Sequence, residues 1–124
     1  MKRLSICWII GCLLELVACR PEVPTQAEQG ETDVFPDYRE VTVPVNMAPP
    51  NFKLVDQQLQ GITRLKTMNR ELIIAADQGV FNLPETDWKV LSQDAQGKQI
   101  DVTVYFREPQ SDWKQMSFPI YVSR

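Results

Sequence analysis

Histidine is absent from the 124 residues, and that single absence removes several chemistries together. Without imidazole there is no Ser-His-Asp relay, no Cys-His pair and no histidine-based zinc or copper site. Cysteine is scarce. Its three copies are Cys7, Cys12 and Cys19, so residues 20–124 offer no thiol for nucleophilic or redox work and no disulfide. The five glycines form neither a phosphate-binding loop nor a dinucleotide fingerprint. Basic clusters are missing as well: 13 basic residues stand against 16 acidic ones, for a formal charge of −3, which argues against nucleic acid as a partner. No cofactor and no metal-ligand set is expected.

What is present begins with the leader "MKRLSICWIIGCLLELVAC". Lys2 and Arg3 form a short positive region, and an apolar run follows from Leu4 to Ala18, the layout of a secretory signal. A membrane-spanning helix needs about 20 apolar residues. This run is shorter and is interrupted by Glu15, so a cleaved signal is preferred to an anchor. An ordinary signal peptidase wants small residues one and three places before the cut; cutting after Ala18 leaves the bulky Leu16 in the third place. Leu16-Val17-Ala18-Cys19 instead resembles the lipobox of bacterial lipoproteins. In that family the thiol is joined to diacylglycerol, the leader is removed and the new amino group is acylated. The resemblance implies a signal peptide over residues 1–18, lipidation of Cys19 and attachment to membrane through that lipid. Two or more acyl chains hold stably where one does not. Arg20 follows the cysteine, where Asp would favour the inner membrane in many Gram-negative bacteria. The expected location is therefore the cell outer membrane, with the domain in the periplasm or at the cell surface.

Losing Lys2, Arg3 and Glu15 with the leader takes the charge to −4. Residues 19–39, ending in "RPEVPTQAEQGETDVFPDYR", are rich in Pro, Glu, Gln and Thr and read as a lipidated cysteine and flexible linker, too polar to fold alone. Twenty such residues span about 25 Å as a coil. Phe35 and Tyr38 mark where the chain begins to touch the folded part.

The domain is expected over residues 40–124. "EVTVPVN" alternates Val41, Val43 and Val45, as a half-buried strand does. "NFKLV", "LQGITRLKT", "RELIIAA" and a short "VFNL" read as further strands, with a turn at Asp77-Gln78-Gly79. Ile100, Val102, Val104 and Phe106 share one face, and Met116, Phe118, Ile120 and Val122 another. Pro109–Asp112 between them predicts a hairpin. "LPETDWKVLSQDAQG" reads as a short helix, with Pro84 in the first turn, Glu85 and Asp87 at the favourable end of the dipole and Gly97 as a stop. A hairpin turning at Gln96-Gly97 is the alternative. The sum is a mainly β chain whose natural architecture is an immunoglobulin-like β-sandwich with one short helix. Val102, Val104, Phe106, Phe118 and Ile120 are expected to be buried together. Pro44 and Pro119 lie within alternating runs, which predicts edge strands, and the 114–123 strand is expected to be an open edge for a partner.

Carboxylate pairs, Glu85 with Asp87 and Asp94 near Asp101, are better explained by a helix start and a turn than by catalysis or calcium. Trp88 and Trp113 read as core or rim residues. Tyr105 and Tyr121 fall on the face opposite the apolar rows, so they are candidate contacts for a partner or a stacked glycan. "FPDYREVTVPVNMAPPNFKL", "LPETDWKVLSQDAQGK" and "WKQMSFPIYVSR" resemble, over residues 35–124, the amino-terminal β-domain of Gram-negative envelope lipoproteins that carry a TolB-like propeller. No active site comes with that resemblance, and the chain lacks the propeller repeats, as a stand-alone or truncated relative would. The expected function is that of a non-catalytic envelope lipoprotein whose β-domain docks onto another envelope protein, with glycan binding as the alternative.

Overall fold

A computed structural model describes residues 21–124; the expected signal peptide over residues 1–18 and the expected lipidation site, Cys19, lie outside them. In chain order the elements are β1 (Glu28–Gln29), β2 (Val34–Phe35), β3 (Thr42–Val43), β4 (Phe52–Leu54), β5 (Gln60–Lys66), β6 (Glu71–Ala75), β7 (Val80–Phe81), α1 (Glu85–Asp94), β8 (Gln99–Arg107) and β9 (Lys114–Val122). They make a mainly β fold of two sheets. The larger runs β1-β9-β8-β5-β6, with β3 also on β9; the smaller runs β2-β4-β7.

The core lies between these layers and follows from alternation. Ile100, Val102, Val104 and Phe106 of β8 face inward beside Met116, Phe118, Ile120 and Val122 of β9, all buried. The hairpin sets Ile100 opposite Ile120 and Val102 opposite Phe118. From the smaller sheet come Val34, Phe52, Leu54 and Phe81, with the Phe52 and Phe81 rings 4.8 Å apart. Gly61 lets the sheets approach: a Cβ there would lie 2.8 Å from both Leu54 and Phe81 side-chain atoms. Burying each such side chain contributes roughly 1.5–3 kcal/mol. The turn at Asp77–Val80 carries the chain between sheets, with Gln78 and Gly79 both at positive φ.

The ambiguous segment is a helix. α1 starts directly after Pro84 and buries Trp88, Leu91 and Ser92. The Trp88 indole N–H donates to the Met47 carbonyl at 3.1 Å, and the Ser92 hydroxyl to that of Val45 at 3.2 Å. The chain then leaves through Gly97, whose amide donates to Val122.

Two expectations need correction. Residues 28–35, read as part of the linker, belong to the fold. β1 runs parallel to β9, with Glu28 opposite Lys114; the Glu28 and Gly30 amides donate to Trp113 and Gln115 at 3.2 and 3.0 Å. β2 pairs with β4 and buries Val34. These attachments use main-chain groups and one valine, so the polar composition conceals them.

The 114–123 strand is likewise not an open edge. β8 lies on one side of β9, while β1 and β3 line the other. Pro119 is tolerated because of which way it points. The Tyr121 and Ser123 amides donate outward, to Val41 and Val43 of the β3 segment, whereas Val122 donates towards β8. Alternation therefore turns the Pro119 nitrogen outward too, into the gap between β1 and β3. No ladder bond to β8 is lost, and the Pro119 carbonyl still accepts from Glu40 at 3.0 Å.

Candidate functional site

Of the long strands in the larger sheet, β6 is the one that forms an edge among the described residues. It pairs with β5 from Ile62 opposite Ala75 to Lys66 opposite Glu71, and no described strand lies on its other side. The Thr67 amide donates to Arg70, and the Ala76 amide to Gly61, both at 2.9 Å. Even-numbered positions of β6 thus direct their main-chain groups at β5. Glu71, Ile73 and Ala75 direct theirs outward. Leu72 and Ile74 lean into the core while remaining half-buried, and Ile73 is half-exposed on the opposite face. Exposed edges are commonly protected by Lys, Pro or a bulge; "ELIIA" has none of these. The sequence signal was its unbroken apolar run from Leu72 to Ala76, where a one-sided strand alternates.

A polar clasp fixes the end of this hairpin. Asp94, in the last turn of α1, accepts from the Thr67 hydroxyl and from the Asn69 amide, the latter at 3.2 Å. These hydrogen bonds, Thr67 first, hold its carboxyl below the usual carboxylate range. They outweigh the unfavourable placement of an anion at a helix C-terminus. The exposed Arg39 guanidinium does the same for Asp37, lowering it to about 2 through two contacts at 2.8 Å.

A second apolar surface lies on the outer face of the smaller sheet. Phe35 is 62% exposed and Val55 55% exposed. Lys53, opposite Phe35 in the register, holds its ammonium 6.0 Å from that ring, and Val80 continues the row.

The tyrosine pair does not form. Tyr105 is only 5% exposed, because β8 is a central strand and Ile62 and Gln115 flank it. Tyr121 is 40% exposed, but it lies opposite Gln99 while Tyr105 lies opposite Gln115. Six register positions, about 20 Å, separate them, so glycan stacking has no aromatic pair here. Trp113 stacks against the Arg107 guanidinium at 4.3 Å, and Trp88 is buried. An open cleft of about 440 Å³ lies between residues 45–49 and α1. Its titratable lining is one carboxylate, Glu85, and one ammonium, Lys89. Asp101 takes a hydrogen bond from Gln99 at 2.7 Å. Among the described residues no three His, Cys, Asp or Glu side chains gather as a metal site, and no helix is long and apolar enough to cross a membrane. Comparison with protein-family models, with curated proteins and with solved structures found no match.

Proposed function

We propose that the chain is a non-catalytic lipoprotein of the bacterial outer membrane, anchored through Cys19, whose β-domain docks onto another envelope protein. The Leu16–Cys19 motif after a basic and apolar leader supports the anchor. The observation that carries the docking reading is a pair of apolar side chains more than half exposed at the smaller sheet, Phe35 in β2 and Val55 just past the end of β4. Clustered exposed apolar residues of this kind are typical of interaction surfaces.

The domain is assigned to the immunoglobulin-like kind. In support, β4 neighbours β7 in one sheet, β9, β8 and β5 are adjacent in the other, and β6 extends the latter. That is the B–E and G–F–C–C′ order of such sandwiches. The opening segment divides between sheets, β2 against β4 and β3 parallel to β9. The resemblance to the front domain of propeller lipoproteins agrees with a docking role.

The test is metabolic palmitate labelling in a Gram-negative host, with a photo-reactive residue at position 35. Wild type is expected to take up label in the outer membrane and to give a higher-mass adduct on illumination. Cys19→Ala is expected to lose the label and to keep or misprocess its leader. Unchanged labelling in that variant overturns the anchor, and absence of an adduct overturns the docking surface.

A further inference from the structure

We infer that β6 is the self-association edge of this protein, pairing antiparallel with β6 of a second copy about a two-fold axis at Ile73. Outward-pointing main-chain groups at Glu71, Ile73 and Ala75 are spaced to make an antiparallel ladder with an extended strand. The strand is its own complement. Centred on Ile73, "ELIIA" sets Ile73 against itself, Leu72 against Ile74 and Glu71 against Ala75. On the inner face the half-exposed Leu72 and Ile74 meet their counterparts, which extends the apolar layer across the joint. On the outer face the strand's one charge meets an alanine. The two Glu71 carboxylates fall four positions apart, about 14 Å, beyond the screening length of about 8 Å at physiological salt. A copy of the same chain thus satisfies the exposed backbone without opposing like charges. The axis runs perpendicular to the sheet, so a dimer of anchored chains lies with its strands roughly along the bilayer.

This inference goes beyond the docking reading, which uses a different surface, and it does not require lipidation. Its test is cysteine crosslinking of the full chain in membranes under mild oxidation. Directly opposed residues in a hydrogen-bonded antiparallel pair have Cα atoms about 5.5 Å apart, within the roughly 4.4–6.8 Å that a disulfide spans. Ile73→Cys is expected to give a covalent dimer. Glu71→Cys alone and Ala75→Cys alone are expected to stay at the level of wild type, which controls for Cys7, Cys12 and Cys19. Co-expressed Glu71→Cys and Ala75→Cys are expected to link to each other. Should Ile73→Cys fold poorly, that exposed pair decides. Dimer no greater than wild type, or adducts with a chain of different mass, overturns the inference. Leader processing and label uptake are read from the same samples, so loss of the anchor registers separately.

Discussion

The outer row of β9 and the outer row of β6 belong to one sheet and are treated in opposite ways. β9 contains Pro119, the residue that ordinarily marks an edge, yet β1 and β3 cover most of its outer row. β6 contains no proline and no lysine, yet no described strand pairs with its outer side. Proline at an edge removes a donor, which tells which side of a strand can be left unpaired. It does not tell whether that side is left unpaired. The cover of the first row is built from short segments far away in sequence; the open row is regular, carries the single charge of Glu71, and is available for pairing.

The most disruptive way to probe the contrast is through the core beneath the covered strand. Phe118 is buried in β9 opposite Val102, and truncating such a residue costs roughly 3–5 kcal/mol of the about 5–15 kcal/mol typical of a domain. Phe118→Ala should therefore lower the denaturant midpoint severely or prevent folding. A midpoint close to wild type would mean that β9 does not bear on the core as described.

A gentler comparison uses hydrogen exchange at a dilution where the protein is monomeric. The Tyr121 and Ser123 amides, bonded to Val41 and Val43, should exchange slowly. Glu71, Ile73 and Ala75 should exchange quickly, while Leu72 and Ile74, facing β5, are protected. Raising the concentration should slow the three outward amides of β6 and leave those of β9 unchanged. Equal protection of Ile73 and Leu72 at high dilution would erase the distinction between the rows.

The smallest expected effect concerns the clasp behind β6. Asp94 titrates below its unfolded value of 3.8 because Thr67 and Asn69 bond its ionised form. Its contribution is therefore present above about pH 4 and is lost as the pH falls through the lower folded value. Wild type should be slightly more stable than Asp94→Asn at neutral pH, with the gap closing under acid. A gap that widens on acidification would show that the helix dipole, rather than the hydrogen bonds, governs this carboxylate.

Much of the architecture was legible in the sequence, and the failures share a cause. The rows from Ile100 to Phe106 and from Met116 to Val122 are long enough for alternation to fix their inward faces. Pro84, Glu85, Asp87 and Gly97 bracket α1 by local chemistry. β1 and β2 have two residues each, too few to show a period, and their partners lie far along the chain. Tyr105 was assigned to the correct face, but alternation reports a face and not its cover, which Ile62 and Gln115 supply on neighbouring strands. The free edge at β6 was hidden for a related reason. Which strand lacks a neighbour depends on the pairing of all the others, and no single segment carries that information.

The parallel pairing of β1 changes the mechanics of attachment. On the proposed anchoring of Cys19 in lipid, only eight residues would separate the anchor from Glu28, in place of a leash of twenty. Eight residues reach about 27 Å at full stretch, and about 16 Å on average as a coil against about 25 Å for twenty. The volume such a domain surveys above its anchor shrinks to about a quarter. Its encounters are confined to whatever shares the same thin layer above the bilayer, where neighbours in the membrane plane are met far more often than molecules arriving from the bulk.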